Sequence, residues 1–551
     1  MKPSTHRVFF CLVAACFSIV AHAFADARTD AVDVLFSAID RPNSPGCSIG
    51  AMQNGELVYE RGYGMADLDH GVPNTPGTVF HVASVSKQFT AAATLLLVDE
   101  GRLSLEDPAD RYVPQLPRFG TPITIGQMIL HTSGLRDQWE LLQLSGWRYS
   151  LDLITDDDVM SVVARQRQLN FPPGSRFAYS NTGYTVLGQI VKRTSGRSLR
   201  EFTTERIFGP LAMRDTWFRD DHAEIVPNVA HGYVRSGRGF RLSLTQFDTV
   251  GATGLLTTVR DLARWERNFR DGKIGGRRFM ERMAEPGALT DGTRIDYAAG
   301  LVVGIHRGRR TVSHSGYDAG YRAHFLRFPD LDFAVSCLCN LADVSAIRLA
   351  EGIADIYLAD RLDPEPPQPV PVDVPRASLA ALVGTYLAPD GRDVRRVSLG
   401  AGGLGLGGLG SSGTTALVPL GDDRFATDGG SSVIEFLQHP RWLRIATARR
   451  ETVTFAWVPA FSPAGAQLPV YVGTYDSAEI ELPLRIAVRD GQLAVTSMKI
   501  VQPLPLMPLA KDTFGHEDLG IVRFRRGRDG SVSGLVLDSG GLRDFGFRKR
   551  R

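Results

Sequence analysis

The sequence is poor in cysteine, in lysine and in net charge, and each shortage excludes a class of protein. Its 551 residues include five Cys and carry 62 Lys and Arg against 60 Asp and Glu. Charge this balanced leaves no basic stripe of the kind that binds nucleic acid, so we expect no nucleic-acid partner. An apolar fraction of 43% is ordinary for globular proteins. A soluble protein of several domains remains, because single cores stop growing at about 250–300 residues.

The few cysteines exclude a disulfide scaffold and a zinc cluster. Cys11 and Cys16 lie in the N-terminal segment, which leaves Cys47, Cys337 and Cys339 for the rest of the chain. No H-E-x-x-H or other short-spaced pair of His ligands occurs, so we expect no metal. Cys337 and Cys339 would share one face of a strand. We interpret the three as buried structural thiols, and their pairing stays open.

Lysine is the scarce basic residue. The chain has seven Lys and 55 Arg. Because Arg cannot accept a proton near neutral pH, a chain built this way draws attention to each Lys that it keeps.

The first 25 residues have the features of a cleaved export signal. Lys2 and Arg7 form a positive segment, and residues 8–20 are an apolar run too short to span a bilayer comfortably. Two small-x-small cleavage sites lie within residues 21–25. The predicted mature protein is therefore periplasmic or extracellular. An uncleaved anchor and a lipoprotein acylated at Cys16 are the alternatives that would place it at a membrane.

Between residues 26 and 362 the sequence alternates between strand and helix patterns. Residues 46–64 predict two strands around an Asn-Gly turn. Residues 88–101, rich in Ala and Leu and ending in Gly, predict a helix. Strand patterns return at 299–340. This part of the chain is predicted to be one domain of mixed helix and sheet.

A Pro-rich linker separates this part from a second type of sequence. Residues 363–375 contain six Pro. Beyond them, short apolar runs separated by Gly, Asp and Ser predict all-β structure. The sequence LVGTY at 382–386 recurs as YVGTY at 471–475, 89 residues later. Two small antiparallel β-barrels, at 376–465 and 466–551, fit this spacing better than one large sheet.

The Gly-rich run 400–413 contains a G-x-G-x-x-G pattern at Gly405, Gly407 and Gly410. A dinucleotide site would require a helix to begin immediately afterwards, with its N-terminus facing a pyrophosphate. The residues that follow predict strand and turn instead. We therefore predict a flexible hairpin loop here and no nucleotide cofactor.

Ser84 and Lys87 form an S-x-x-K pattern where a loop enters the Ala-rich helix. At this spacing on a helix the two side chains share a face, with Cβ atoms about 5–6 Å apart. A serine hydroxyl is a poor nucleophile until a base takes its proton, and a buried Lys can serve because desolvation lowers its pKa. The free N–H groups at a helix N-terminus can also meet developing negative charge. Alone, the pattern is also compatible with an ordinary helix surface.

Two further motifs follow in order, Tyr179-Ser180-Asn181 before an apolar helical run and His314-Ser315-Gly316 before a pair of strands. Taken singly, each has a structural explanation. The Tyr could be a buried aromatic, the Asn the N-cap of the next helix, and the His a residue in a surface turn.

In this order the three motifs resemble those of the serine β-lactamase and penicillin-binding-protein superfamily, nearest its class C branch with DD-peptidases, D-aminopeptidases and esterases. The resemblance covers roughly residues 30–360. It extends to the surrounding text, namely ILHTSGLRD at 129–137, FPPGSRFAYSNTGYTVLG at 171–188, LAMRDTWF at 211–218 and TGLLTTVRDLARW at 253–265. The resemblance implies an α/β (α+β) catalytic domain with a central antiparallel sheet flanked by helices, followed by the two barrels.

The resemblance also implies a role for each motif residue. Ser84 would be the acylated nucleophile, and Lys87 and Tyr179 would share its proton, with Tyr179 passing it to the leaving group. Asn181 would hydrogen-bond the amide of the substrate.

In the third motif, His314 and Ser315 would lie at the edge of the substrate-binding strand. Gly316 would allow the chain to approach the ligand closely. The N–H groups of Ser84 and Tyr317 would form the oxyanion hole. This mechanism requires neither a metal nor an organic cofactor.

His314 departs from the Lys usual in β-lactamases, which puts efficient β-lactam hydrolysis in doubt. The H-x-G triplet and the two barrels resemble a D-aminopeptidase of the family, in which a barrel loop reaches the active site and limits substrate size. Either residues 400–413 or a loop of the second barrel would do so here.

We therefore expect a secreted serine hydrolase of small D-amino-acid amides or short peptides. The alternatives are an esterase with the same residues and a penicillin- or peptidoglycan-binding protein with little turnover. Whether the chain forms a homo-oligomer stays open.

Overall fold

The protein is described by a computed structural model over residues 27–149, 151–365, 370–409, 414–427, 432–438, 441–447, 452–463, 465–496 and 502–550. The predicted export signal lies outside the described residues, as does Gly410. Within the described ranges no helix is long and apolar enough to cross a membrane.

The first domain contains both helices and short strands. Besides helical residues 27–36, the α-helices of the chain are α1 Lys87–Asp99, α2 Ile125–Ile129, α3 Gln138–Leu144, α4 Asp156–Ala164, α5 Asn181–Ser195, α6 Leu199–Thr203, α7 Val259–Asp271, α8 Arg277–Met283, α9 Ala346–Tyr357 and, after the linker, α10 Arg376–Leu382. The strands of this domain are β1 Cys47–Gln53, β2 Glu56–Tyr63, β3 Met65–Asp67, β4 Val72–Pro73, β5 Phe80–His81, β6 Trp217–Phe218, β7 Tyr233–Ser236, β8 Gly239–Leu242, β9 Leu255–Thr257, β10 Val302–His306, β11 Arg309–Asp318, β12 Tyr321–Phe328 and β13 Phe333–Cys339.

A six-stranded antiparallel sheet in the order β10-β11-β12-β13-β1-β2 organises this domain. Strands β13 and β1 are neighbours in the interior of this sheet, and nearly every residue in them is buried. They are buried on both faces because helix α9 packs against β12 and β13, while α7 packs against β1 and β13. A strand covered on both faces reads as a continuous apolar run, as FAVSCLC does.

Helix α1 lies at the centre of the helical part of this domain. Eleven of its 13 residues are buried, and α5 packs along it. A helix that is apolar on all sides needs neighbours on all sides. This packing places the start of α1 and the start of α5, which carry the first two motifs, side by side.

The remaining strands form two closed eight-stranded barrels, so the predicted fold class is confirmed. Barrel 1 consists of β14 Gly384–Leu387, β15 Val394–Gly400, β16 Gly403–Gly407, β17 Thr415–Gly421, β18 Arg424–Thr427, β19 Ser432–Gln438, β20 Arg441–Thr447 and β21 Thr452–Val458. Barrel 2 consists of β22 Gly473–Asp476, β23 Leu484–Arg489, β24 Gln492–Thr496, β25 Leu504–Ala510, β26 Thr513–His516, β27 Gly520–Arg526, β28 Val532–Asp538 and β29 Phe545–Lys549.

The repeated pentapeptide performs the same task in both barrels. The Tyr386 hydroxyl donates to the Leu382 carbonyl at 2.7 Å, and the Tyr475 hydroxyl donates to the Tyr471 carbonyl at 2.6 Å. Each bond ties the first strand of a barrel to the residue four positions before it. The repeat therefore marks the entry into each barrel.

The Gly-rich run is a strand where we predicted a loop. Residues Gly403–Gly407 form β16, which pairs with β15. The prediction of a flexible hairpin loop is wrong there, because alternating Leu side chains of this run are buried inside the barrel. The next described element is a strand, β17, and not the helix that a nucleotide site requires.

The interpretation of Cys47, Cys337 and Cys339 as three thiols is also wrong. Cys47 and Cys339 form a disulfide between the neighbouring strands β1 and β13, and Cys337 remains a buried thiol. The register makes Cys47 and Cys339 directly opposed, with Cα atoms 4.0 Å apart. Strand register decides the pairing, and spacing along the sequence does not contain it.

Candidate active site

Ser84 lies at the entrance to α1, on a short 3-10 helix formed by Ala83–Ser86. Ala83 has a φ of +48°, a left-handed conformation that costs a non-Gly residue free energy. Ser86 supports this turn, since its hydroxyl donates to the Ala83 carbonyl at 2.5 Å and accepts from the Leu255 N–H at 3.1 Å. The strained turn holds Ser84 at the wall of a cavity.

Lys87 lies one helical turn after Ser84 and is fully buried. Its Nζ lies 3.0 Å from Ser84 Oγ, 2.8 Å from Asn181 Oδ1 and 2.7 Å from the Ala252 carbonyl oxygen. Burial lowers the pKa of Lys87 to about 7, although the carboxylates of Asp137 and Asp318 act in the opposite direction. A neutral amine at this place donates to the amide and carbonyl oxygens and keeps its lone pair for the Ser84 proton.

The Tyr179 ring lies against the lysine, with its centroid 4.8 Å from Lys87 Nζ. Burial raises the pKa of the Tyr179 phenol well above its usual range, and a hydrogen bond with Ser84 offsets only part of this effect. The phenol is therefore protonated at neutral pH. A protonated phenol at this place, next to Lys87, can give up and take back a proton.

Asn181 is the first residue of α5, and Asp137 fixes the orientation of its amide. Both the Asn181 backbone N–H and its Nδ2 donate to Asp137 Oδ2, at 2.7 and 2.9 Å. With the amide nitrogen held in this way, the amide oxygen faces Lys87 Nζ. Asp137 also occupies the N-terminus of α5, where a negative charge is favourable.

The third motif lies on β11, beyond the end of its neighbour β10. Pairing with β10 ends at Ser313, whereas pairing with β12 continues to Asp318. Residues 314–318 therefore have an unpaired edge, on which an extended substrate can add hydrogen bonds. His314, Ser315, Tyr317 and Asp318 line the cavity next to this edge.

Gly316 permits the close contact that brings β11 to the turn that carries Ser84. A Cβ at this position would lie 2.1 Å from the Val82 carbonyl oxygen, so only glycine fits. The sequence predicted a close approach to a ligand, and the structure shows that the partner is the chain itself just before Ser84.

His314 is neutral in this environment. Burial lowers its pKa to about 3, and the charge on Lys87 acts in the same direction. Its Nδ1 lies 2.7 Å from the Ser315 carbonyl oxygen and its Nε2 lies 3.0 Å from the Tyr297 hydroxyl. This places the proton on Nδ1 and lets Nε2 accept from Tyr297. The third motif therefore carries no fixed positive charge for a substrate carboxylate.

The cavity in front of Ser84 has a volume of about 1220 Å³. Its lining residues all belong to 83–318, and no described residue of either barrel is among them. Aromatic side chains (Trp139, Tyr149, Phe177, Tyr297) form much of the wall. Arg176 and Arg294 also line it. The prediction that a barrel loop reaches the active site finds no support among the described residues.

Asp318 is the buried carboxylate of the cavity wall. Its Oδ2 lies 3.0 Å from His81 Nε2 and 3.2 Å from Thr253 Oγ1, and the Tyr149 hydroxyl donates to its Oδ1. Asp296, by contrast, is exposed at the cavity. The cavity thus offers a negative charge next to the strand edge.

Metal ligands do not converge at this cavity among the described residues. In the described part of the chain, three metal-ligating groups come together in one cluster, formed by the sulfur atoms of Cys47, Cys337 and Cys339, which lie within 4.8 Å of one another. Two of these sulfurs form the disulfide and offer no thiolate.

Sequence reasoning missed Asp137, Tyr297, Asp318 and the Ala252 carbonyl. Asp137 and the residues after Ala252 lie in segments quoted for the family resemblance, so the signal was present without a role attached. Tyr297 and Asp318 have no motif of their own. Their contribution arises only because the chain brings them to the same cavity.

Comparisons with known proteins agree with this geometry. The family model Beta-lactamase matches residues 32–358. A D-aminopeptidase from Cereibacter sphaeroides is 29% identical over 466 residues, which cover 84% of this chain and 86% of that protein. A D-aminopeptidase from Gluconobacter oxydans is 27% identical over 344 residues, with coverage of 62% and 63%.

Among solved structures, the octameric penicillin-binding protein homologue from Pyrococcus abyssi is similar, with a TM-score of 0.54 and 27% identity. The similarity covers 74% of this chain and 96% of that one.

Proposed function

The chain belongs to the beta-lactamase family of serine hydrolases, and from this premise we propose that it hydrolyses small D-amino-acid amides or peptides through an acyl-enzyme on Ser84. The observation that carries the proposal is the Lys87 amine, buried 3.0 Å from the Ser84 hydroxyl with a pKa of about 7. A base with a pKa near the working pH is best suited to proton transfer.

In acylation, Ser84 Oγ bonds to the substrate carbonyl carbon while its proton moves to the lone pair of Lys87 Nζ. The carbonyl electron pair becomes an oxyanion, which the N–H groups of Ser84 and Tyr317 would stabilise. When the oxyanion collapses, the C–N bond breaks. The leaving amine receives the proton from Lys87 through the Tyr179 phenol, which leaves a Ser84 ester and a neutral lysine.

Deacylation repeats the transfer with water. A water oxygen bonds to the ester carbonyl carbon, and one of its protons moves to Lys87 through Tyr179. Collapse breaks the bond to Ser84 Oγ, which takes the proton back. The products are an amine or ammonia from the first step and a carboxylic acid from the second.

At the third motif, away from Arg176 and Arg294 elsewhere in the lining, the side chains suit an amine-bearing substrate better than one that needs its carboxylate recognised there. His314 is neutral, so the third motif lacks the cation that a β-lactam or a C-terminal carboxylate would meet. Asp318 supplies a buried carboxylate at the strand edge, which would balance a free α-ammonium group. The two D-aminopeptidases, which align with 84% and 62% of this chain, support the same substrate class.

A substrate panel tests the proposal. We expect D-alanine p-nitroanilide and D-amino-acid amides to be hydrolysed faster than their L-enantiomers, their N-acetylated forms and D-Ala-D-Ala peptides. Ser84→Ala should abolish this turnover, and intact mass spectrometry should detect an acyl group on the wild-type protein. Normal turnover by Ser84→Ala would refute the assignment.

The two alternatives have distinct outcomes in the same panel. Faster turnover of short p-nitrophenyl esters than of any amide would identify an esterase. A persistent adduct with a β-lactam, without turnover, would identify a binding protein.

We also propose that the protein is exported. The predicted signal supports export, and the Cys47–Cys339 disulfide is typical of proteins in oxidising compartments. Cell fractionation and N-terminal sequencing test this, with a mature terminus expected near residue 26. A cytosolic protein that starts at Met1 would contradict it.

We propose in addition that the chain self-associates, because the solved relative from Pyrococcus abyssi is described as octameric. Light scattering on the purified protein tests this. A monomer at micromolar concentration would contradict it.

A further inference from the structure

Barrel 2 forms hydrogen bonds to the segment 136–140, in which Asp137 contacts Asn181 and Trp139 lines the cavity. The Asp137 N–H donates to the Gly541 carbonyl at 3.1 Å, and the Gly541 N–H donates to Glu140 Oε1 at 2.6 Å. The Ser539 hydroxyl also donates to Glu140. The loop 539–543 and the start of α3 are therefore joined in both directions, backbone to backbone and backbone to side chain.

Arg136 strengthens this contact from the catalytic domain. Its guanidinium is buried, pairs with Glu479 and lies over the Phe545 ring at 4.7 Å. Glu479 also accepts from the Arg167 N–H at 2.9 Å. An Arg–carboxylate pair removed from water in this way is costly to break, because the remaining charge would be buried without a partner.

Asn170 forms a second set of hydrogen bonds between the catalytic domain and barrel 2. Its Nδ2 donates to the Gly541 carbonyl at 2.9 Å, and its Oδ1 accepts from the Arg543 N–H at 2.8 Å. The Gly541 carbonyl thus receives two donors from the catalytic domain. The loop is fixed to the segment before α5 as well as to α3.

Short chains of hydrogen bonds connect the segment 136–140 to the groups around Lys87. The Arg136 carbonyl accepts from Thr182 Oγ1 at 2.6 Å, on the first turn of α5. The Asp137 carboxylate holds the Asn181 amide, whose oxygen accepts from Lys87 Nζ. A displacement of the 136–137 backbone therefore moves the partner of the catalytic lysine.

Barrel 1 differs from barrel 2 in its packing. Its apolar core is a cluster of its own, whereas the core of barrel 2 is continuous with that of the catalytic domain. Since no described barrel residue lines the cavity, the influence of barrel 2 on the reaction has to pass through the protein from behind.

We propose that the loop 539–543 of barrel 2 is a positioning element of the active site, which fixes the Asp137 backbone so that the Asn181 amide keeps its oxygen on Lys87. This rests on the proposed function, because it requires Lys87 to act on Ser84. It gives the second barrel a role in the rate of acylation rather than in limiting the size of the substrate.

The pH dependence of acylation reports on this role. The Asp137 carboxylate raises the pKa of Lys87, so a displacement of Asp137 shifts that pKa. The other titratable groups around Lys87 are Asp318, His131, His314, Tyr179 and Tyr184. None of them lies on barrel 2, so they stay constant when the loop is changed.

Two adjacent glycines provide a matched pair of variants. An alanine Cβ at position 541 would lie 2.5 Å from Asp137 Cβ and 2.8 Å from Glu140 Oε1, so the two segments must separate. At position 540 the nearest contact is Glu140 Oε1 at 3.6 Å, an ordinary distance. The readout is the rate at which a fluorophosphonate probe labels Ser84, followed by intact mass against pH on the full-length protein.

We expect Gly541→Ala to lower the labelling rate by about 10- to 100-fold, since small displacements remote from the reacting atoms have effects of this size. We also expect its acid limb to shift, while Gly540→Ala behaves as wild type. Equal rates and profiles for the two variants would overturn the proposal. So would a slower Gly541→Ala with an unshifted acid limb, which indicates a structural role alone.

A second pair covers the case in which Gly541→Ala does not fold. Glu479→Gln removes the charge that faces the buried Arg136, and Glu481→Gln removes one from an exposed pair with Arg165. We expect Glu479→Gln, but not Glu481→Gln, to be labelled more slowly and to show a shift of the acid limb. Equal labelling rates and pH profiles for these two variants would overturn the proposal. A wild-type protein that is not labelled would refute the Ser84 chemistry, and the positioning role with it.

Discussion

Lys87 and Arg136 are two buried basic residues whose surroundings differ. Among the described residues no carboxylate is in direct contact with Lys87, and its Nζ lies within hydrogen-bond distance of a hydroxyl, an amide oxygen and a carbonyl oxygen. Arg136 pairs with Glu479, donates to Gln166 Oε1 at 3.1 Å and lies over an aromatic ring. The first borders the cavity wall, and the second lies between the catalytic domain and barrel 2.

The difference shows how one chain assigns buried charge to chemistry or to assembly. Desolvation without an ion-pair partner lowers the pKa of Lys87 to about 7, so the amine exchanges protons at neutral pH. Arg136 keeps its charge, because guanidinium loses its proton only at very high pH and Glu479 opposes the effect of burial. In the proposed mechanism the scarce Lys is the acid–base group, while Arg136 contributes an ion pair between the catalytic domain and barrel 2.

The largest effect should come from removing the lysine. Lys87→Met fills similar space without a base, so we expect kcat/KM for D-alanine p-nitroanilide to fall by about 10²- to 10⁴-fold. Lys192→Met, at an exposed position of α5, is the control and should retain full activity. If kcat/KM of Lys87→Met lay within a factor of about ten of wild type, Lys87 would not be the general base, since general-base catalysis contributes more than that.

Removing the arginine should affect stability instead. Arg136→Met leaves Glu479 largely buried without its partner, and such losses cost about 3–5 kcal/mol of unfolding free energy. Arg165→Met removes an exposed partner of Glu481 and should cost less than about 1 kcal/mol. Urea unfolding measures both. Equal losses in the two variants would contradict the structural role of the buried pair.

The acid limb of kcat/KM should report on Lys87. Only the neutral amine accepts the Ser84 proton, so activity should fall below about pH 7 as Lys87 becomes protonated. Asp137→Asn removes a charge that raises this pKa and should move the limb to lower pH. Asp296→Asn, at an exposed position of the cavity, should leave it unchanged. An acid limb at the same pH in Asp137→Asn as in wild type would show that Asp137 does not influence the pKa of Lys87.

A further effect should appear in the pH dependence of stability. The pKa of Lys87 lies near 7 in the folded protein and near 10.5 in the unfolded chain. Between these values the unfolded chain binds the proton and the folded protein does not, so this residue makes the protein more stable as pH rises, by at most about 1.4 kcal/mol per pH unit. Below pH 7 both forms are protonated and the contribution is constant.

Comparison of wild type with Lys87→Met isolates this contribution, because the other groups titrate in both proteins. Their difference in unfolding free energy should change between pH 7 and 10. A constant difference would show that Lys87 keeps its proton in the folded state.

Much of the active site follows from local patterns. Ser84 and Lys87 share a helix face because of their spacing, and the Asn-Gly turn before β2 forms the predicted hairpin, with φ of +54° and +79° at its two residues. The repeated pentapeptide identifies the start of each barrel. Gly403–Gly407 shows the limit, since five residues rich in Gly carry little local preference and the barrel makes them a strand.

The sequence alone determined the order of the three motifs and the division of the chain into a domain of helices and strands and an all-β part. It also predicted a chemical role for Lys87. Only the tertiary structure decided that Asp137 orients Asn181, that Cys47 pairs with Cys339, and that barrel 2 supports the active site from behind. The reason is physical. Helix faces and turns depend on neighbours in sequence, whereas burial, strand register and the pKa of a side chain depend on atoms that folding brings from distant parts of the chain.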